Sequence, residues 1–319
     1  MNPLISILIP AYQAEKTIQR CLSSILNQTN NNFEVIIIDD GSNDRTFCIC
    51  LEYQCDKRFK IYTQTNQGIA TTRQRLLALA NGRYIQFVDA DDWVDLNMVE
   101  EYYSILNRCD YDIIISDYIY HNSQTIQYKL QKPSSLTSQG LIRGISSPKL
   151  LGVLWNKLIK RDLISKVHIP NLRYCEDWCI CVSLFQEAKK IMYTNKAFYH
   201  YDNSNTTNSL TRNINKDSFR YRMQYISYLQ TIGFDKLYPK EYDSQVANIA
   251  YTALIYNIYT DNEFHNIFRK VSFIYNYNTL YKRIILVLTT IFPLSFVKVI
   301  DITIRKIINY IKKRRIRYR

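Results

Sequence analysis

From residue 4 to about residue 120, short apolar runs rich in β-branched residues alternate with longer stretches of helical period. Runs at 4–9, 34–38, 60–64, 83–87 and 112–119 predict strands, and the spacing over 17–28, 45–53, 69–80 and 98–107 predicts the helices between them. Strand and helix alternating at this interval imply an α/β fold with a mainly parallel, doubly wound sheet flanked by helices. The reason is that parallel neighbours need crossover connections, which are nearly always right-handed. Ligands in such sheets sit beyond the carboxyl ends of the strands. Three strands end in polar residues: Pro10-Ala11-Tyr12 after the first, Asp39-Asp40-Gly41-Ser42 after the second and Asp89-Ala90-Asp91-Asp92 after the fourth. All three are expected on one rim.

Residues 121–150 are polar and Ser/Thr-rich, with Pro133, Gly140 and Gly144, and read as a connector. A second region to about 215 brings Trp155, Glu176-Asp177-Trp178 and the aromatic run at 199–201, and from 217 to about 277 the pattern is Tyr-rich and helical. The expected organisation is a catalytic domain at 1–215 (a nucleotide half at 1–120 and an acceptor half at 121–215), a helical region at 216–279 and a basic tail at 280–319.

Composition changes this picture mainly at the tail. With 319 residues, 47% hydrophobic and 22% charged, the chain can bury one large core or two modest ones. Residues 280–319 carry eleven Lys or Arg against one Asp, most of the net charge of +13. The apolar run at 284–297, interrupted by Pro293, falls short of the roughly 20 residues a spanning helix needs. Beyond it, Val297, Ile300, Ile304, Ile307, Ile308 and Ile311 form one helical stripe opposite Lys298, Arg305 and Lys312. The pattern suits a helix lying in a membrane interface, with the cluster at 312–319 drawn to anionic lipid. A packed helix with a solvated basic end is the alternative. Nucleic acid is not expected as a partner, because phosphate binding needs no apolar stripe. The N-terminus lacks the features of a secretory signal, so a cytoplasmic protein, peripheral on the inner face of the cell membrane, is expected. The eight cysteines lack paired CxxC spacing and read as reduced thiols; Cys175, Cys179 and Cys181 read as small core residues.

Five acidic residues at two adjacent strand ends repel one another unless a cation or a donor group neutralises them. A divalent metal does so readily. Mg2+ and Mn2+ favour carboxylate oxygen and keep positions open for phosphate, so Asp-x-Asp suits a metal diphosphate. Taken alone, Asp39, Asp40 and Asp44 read also as caps of a turn and a helix start, and Glu176-Asp177 as a first-turn acidic pair.

In combination these motifs carry a resemblance. The chain resembles the family 2 glycosyltransferases of the GT-A fold, of the type acting on bacterial surface polysaccharide. The resemblance runs from Ser6-Ile7-Leu8-Ile9-Pro10-Ala11-Tyr12 through the strand ending Asp39-Asp40-Gly41-Ser42-Asn43-Asp44, then Asn66-Gln67-Gly68 and Thr72-Arg73. It continues through Ala80-Asn81-Gly82-Arg83 to Asp89-Ala90-Asp91-Asp92, and on to Glu176-Asp177-Trp178. It covers about 180 residues and nothing beyond about 215.

The resemblance implies an inverting enzyme using Mn2+ or Mg2+ and a nucleotide diphosphate sugar, a UDP-sugar, with an oligosaccharide or lipid-linked acceptor. Pro10 and Tyr12 would wall the base, Asp40 would accept its imino hydrogen, and Asn66 and Arg73 would contact the nucleotide. Asp89 would touch ribose or sugar, Asp91 would ligate the metal, and Asp92 and Asp39 would orient their loops. Asp177 would be the general base, with Glu176 supporting it or touching the donor sugar. His200 is expected near the metal or, equally, as a structural histidine; Trp155-Asn156-Lys157-Leu158 is expected to shape the acceptor side. Gln13 and Asp202 stand where relatives often carry Asn and Arg, which bears on donor preference. Two rivals remain: a GT-A-like nucleotidyltransferase, which the absence of a Gly-rich loop after strand one disfavours, and a non-catalytic sugar-nucleotide-binding protein.

Overall fold

The computed structural model describes residues 3–147, 149–204, 214–268 and 280–317, with side chains to residue 307. It divides into two compact units, Met1–Asn208 and Ser209–Arg319.

The first unit opens with β1 (Ile5–Ala11), α1 (Ile18–Leu26), β2 (Phe33–Asp39), α2 (Thr46–Leu51), β3 (Phe59–Thr63), α3 (Ile69–Leu79) and β4 (Tyr84–Phe87). Every residue of β1 and β2 is buried, as expected of parallel strands covered on both faces. On α1, Ile18, Cys21, Leu22 and Ile25 make the inward stripe. Next come β5 (Trp93–Val94), α4 (Met98–Arg108), β6 (Ile113–His121), β7 (Ile126–Lys129), α5 (Ser138–Ile145), β8 (Lys157–Lys160), α6 (Arg161–Ile164), α7 (Glu176–Glu187) and β9 (Ile191–Asp202).

The strands form one sheet in the order β3-β2-β1-β4-β8-β6-β9-β5, with β7 on β6. The first four run parallel. β8 enters antiparallel between β4 and β6, and β9 runs parallel to β6. The chain winds outward from β1 in both directions, so the crevice opens at the carboxyl ends of β1, β2 and β4. Register fixes the level of that rim: Ala11 pairs with Asp39, and Leu8 with Phe87.

Residues 121–150 hold β7 and α5 rather than an irregular connector. β7 is an edge strand with mostly exposed side chains, so burial imposes no alternation on its sequence.

In the second unit, α8 (Lys216–Thr231), α9 (Phe234–Leu237), α10 (Pro239–Ile255), α11 (Asp261–Ile267), α12 (Leu280–Leu288) and α13 (Leu294–Arg317) are described. Capping boxes start α8 (Asn215 with Ser218) and α11 (Thr260 with Glu263). The expected interfacial stripe needs correction here. Val297 is fully buried, and Asp301, also buried, accepts the Tyr251 hydroxyl at 2.8 Å. That side of α13 therefore packs inward, with Arg305 paired to Asp301. Of the expected stripe Ile307 is exposed, and the other exposed apolar residues are Phe296, Val299 and Ile302, together with Ile291 and Phe292 before the helix. Ile308, Ile311 and the cluster at 312–319 lie outside the residues whose side chains are described. No helix among the described residues is long and apolar enough to cross a membrane.

Candidate active site

The loop after β2 is held by the loop after β1. Gln13, with φ +52°, donates its N–H to Ser42 Oγ at 2.9 Å, and Ala14 N–H reaches Thr46 Oγ1 at 2.7 Å. Gly41 has φ +74°, and a Cβ there would meet Asn66 N at 2.8 Å, so the 64–68 segment can approach only a glycine. Asp40 fastens that segment, its carboxylate accepting from Gln64 Nε2 (2.7 Å), Gln67 N (2.9 Å) and Gly68 N (2.8 Å). A carboxylate has about four lone-pair positions; three are filled by the protein, leaving one on Oδ2. Asn66 is exposed on this segment, Pro10 is buried at the end of β1, and Tyr12 stands 54% exposed beside it.

Arg73, on α3, joins two parts of the rim. Its guanidinium is 4% exposed and donates through Nη1 to Glu176 Oε1 at 2.7 Å. It pairs also with Asp177, and Nη2 lies 3.8 Å from Asp89 Oδ1. One buried cation thus ties the end of β4 to the first turn of α7, and the expected nucleotide contact has its charge already directed at three carboxylates. Asp177 Oδ2 accepts a further bond from Leu154 N–H at 3.2 Å. Burial, outweighing Arg73, pushes Asp89 up to about 7, with Asp91, Asp177 and Glu176 adding to the rise. Glu176 is raised for the same reason, its neighbour Asp177 contributing.

The Asp89–Asp92 turn is clamped from β9. Tyr199 Oη donates to Asp92 Oδ2 at 2.6 Å and accepts Asp89 N–H at 3.0 Å, while Asp92 Oδ1 accepts Asp202 N–H at 2.7 Å. Arg20 braces the turn through Asp91 O (2.7 Å) and Asp202 Oδ2 (2.6 Å), its guanidinium 3.9 Å from the Trp93 ring centroid. Asp92 is completely buried and Asp91 exposed. Burial raises Asp92, with Asp91 and Asp89 adding to it; Asp91 is raised by the loss of part of the solvent around its carboxylate, with Asp202 adding to it.

Oxygens of Asp89, Asp91 and Asp92 lie within 4.8 Å of one another. This hard-oxygen set fits Mg2+ or Mn2+, with Asp91 best presented because both Asp92 oxygens are already occupied. His200 is not grouped with these carboxylates. Its Nε2 is 2.8 Å from Asp95 Oδ1, its Nδ1 is 2.9 Å from His121 Nε2, and its ring stacks on Trp93. Both ring nitrogens are engaged where β9 packs against the ends of β5 and β6, so the expectation of a metal ligand at His200 gives way to the structural one.

The sequence reading missed Arg20, Tyr199 and the backbone N–H of Leu154. Only Tyr199 had a signal, as part of the aromatic run.

Among known proteins, the profile of Glycosyl transferase family 2 matches residues 6–168. The chain is 31% identical over 210 residues to the putative glycosyltransferase EpsH of Bacillus subtilis, covering 63% of this chain. It is 28% identical over 221 residues to the uncharacterized glycosyltransferase EpsJ of the same organism, covering 66%. It spans 61% of the length of EpsH and 64% of that of EpsJ. Residues 1–349 of S. aureus TarS, solved in complex with UDP-GlcNAc, share the fold: TM-score 0.64, 18% identity, 95% of this chain and 91% of that one.

Proposed function

Because the chain belongs to glycosyl transferase family 2, we propose that it transfers one sugar, with inversion, from a UDP-sugar to a hydroxyl of a growing, lipid-linked surface oligosaccharide. The observation that carries this reading is the Arg73 bridge, which joins Asp89 on the donor side to Glu176 and Asp177 on the acceptor side. A single displacement needs that opposition: one group holds the leaving diphosphate while a carboxylate across the cleft takes the proton of the attacking hydroxyl.

In this reading Tyr12 and Pro10 flank the base, and Asp40 uses its remaining lone pair for the imino hydrogen. Asn66 and Arg73 contact the nucleotide, and Asp89 touches ribose or sugar. Asp177 is the general base and Glu176 holds the donor sugar. Asp91, with Asp89, would hold Mn2+ or Mg2+, and the ion would neutralise charge on the departing diphosphate. The UDP-GlcNAc complex of TarS favours a uridine donor.

Release of UDP from candidate UDP-sugars, with and without Mn2+, tests the reaction. A fall in UDP release of about a hundredfold or more in Asp177→Asn, to a residual rate, supports it, pyrophosphate formation would point to a nucleotidyltransferase, and no turnover to a binding protein. For the site of action we favour an anionic membrane surface, supported by exposed Phe296 and Val299 (51% and 61%) beside a strongly basic sequence. Flotation with phosphatidylglycerol vesicles should fall in a Phe296→Asp/Val299→Asp variant; equal flotation refutes the surface.

A further inference from the structure

We infer that Lys157 is a positioning residue for Asp177, acting through the peptide group between Val153 and Leu154. The inference rests on the reading of Asp177 as the general base. Lys157 opens β8 and is 1% exposed. Its ammonium donates to Val153 O at 2.7 Å, to Asn156 Oδ1 at 2.8 Å and to Leu151 O at 3.0 Å. The C=O of residue 153 and the N–H of residue 154 belong to one planar peptide and point in opposite directions. Val153 O is held by Lys157, and Leu154 N–H is held by Asp177 Oδ2 at 3.2 Å. A single rigid unit therefore spans ammonium and carboxylate, its dipole aligned with both charges.

The surroundings restrict what else the lysine can be for. Three donors meeting three acceptors satisfy the ammonium, yet its contacts include no carboxylate, and burying a cation without a touching counter-ion costs several kcal/mol. Pairing of β8 with β6 and β4 uses main-chain groups and does not require the charge. The segment is fastened from other sides as well: Leu151 N–H reaches Gln131 Oε1 at 2.8 Å, and Cys181 Sγ, one turn along α7 from Asp177, lies 3.5 Å from Val153 O. Without the ammonium, Val153 O keeps only the longer contact from Cys181 Sγ, so the 153–154 peptide loses its shortest restraint and its N–H holds Asp177 less firmly against the pull of Arg73. The Asp177 carboxylate is then drawn toward the guanidinium and off the line of the acceptor hydroxyl.

The test is a double-mutant cycle on the full chain, measuring kcat and donor KM for Lys157→Met, Asp177→Asn and the pair, normalised to folded enzyme by tryptophan fluorescence. Lys157→Met should lower kcat by about tenfold or more, since a displacement near 1 Å can cost on the order of a hundredfold, with donor KM within about twofold. In the Asp177→Asn background the same substitution should change the residual rate by less than about twofold. Should Lys157→Met fail to fold, Lys157→Gln, which keeps two donors but no charge, takes its place with the same expected signs. Unchanged kcat per folded enzyme, or effects that simply multiply in the double variant, would overturn the inference. If Asp177→Asn alone keeps parental kcat, the fault lies in the assignment of the base.

Discussion

Replacing Arg73 by methionine should destabilise the first unit by about 3–5 kcal/mol near pH 8, and by clearly less near pH 5. The methionine fills part of the side-chain volume but leaves Asp89, Glu176 and Asp177 around a site that has lost its cation. The guanidinium is 4% exposed, so the figure is that for breaking a buried pair by removing one partner, about 3–5 kcal/mol, and not the small value of a surface bridge. The sign of the pH dependence follows from the acids. Even with Arg73 present, burial raises Asp89 from 3.8 to about 7, and Glu176 is raised from 4.5. A carboxyl raised on folding binds more protons in the native state. Its cost is absent below the unfolded value and grows as pH climbs toward the folded one; for Asp89 in the parent the window runs from about 4 to about 7. Arg73 lowers both acids, so its removal carries the window to higher pH and deepens the deficit there. Urea titration in chelator, followed by tryptophan fluorescence, measures it, because Trp93, Trp155 and Trp178 all lie in this unit. A loss below about 1 kcal/mol near pH 8, or equal losses at both pH values, would refute the reasoning.

Three further substitutions separate the parts of the rim. Asp91→Ala should abolish the thermal stabilisation given by Mn2+, which at a hundredfold excess over Kd is worth about 2.7 kcal/mol in the parent; an undiminished Tm shift would remove Asp91 from the metal site. Gly41→Ala should lower the urea midpoint by the equivalent of about 1–3 kcal/mol, because φ is +74° and the new Cβ meets Asn66 N at 2.8 Å; a neutral result would mean the 64–68 segment yields freely. Tyr12→Ala should weaken UDP binding roughly three- to tenfold without moving the urea midpoint, since the ring is 54% exposed; calorimetry with UDP decides it.

The parts of the fold legible in the sequence are those where one physical demand governs a whole run. Strands β1 and β2, buried on both faces, are apolar over nearly their whole length, with the inner polar pair Ser6 and Glu34 hydrogen-bonded to each other at 2.6 Å, and their boundaries fall within a residue or two of the expected ones. Where demands conflict, legibility fails. Helix α5 carries Gly140 and Gly144, which read as a loop on propensity alone, yet a Cβ at Gly144 would lie 2.4 Å from Leu150 Cδ1. That glycine answers to packing against Leu150. On α13 the sequence shows two apolar sides, and a helical wheel cannot say which faces inward; the buried Val297 and Asp301 decide it.

The site was half legible for a related reason. Acids at strand ends announce themselves, but what holds each one comes from distant chain: Arg73 reaches Glu176 across 103 residues, and Tyr199 reaches Asp92 across 107. Once those partners are known, the acids cease to be equivalent. Asp40 gives three of its four lone-pair positions to the 64–68 segment, Asp92 is filled by Tyr199 and Asp202, and Asp89 lies beside Arg73. Asp39 bonds Ser42 N and Thr63 Oγ1. Arg20 braces Asp91 through its carbonyl, and Asp91 is the exposed member of its cluster. With Asp39, Asp40 and Asp92 holding loops, the rim directs an incoming cation to Asp91, with Asp89 beside it. The run of aspartates is better understood as one presented ligand, Asp91, with Asp89 beside it on a scaffold of acids, than as five interchangeable ligands.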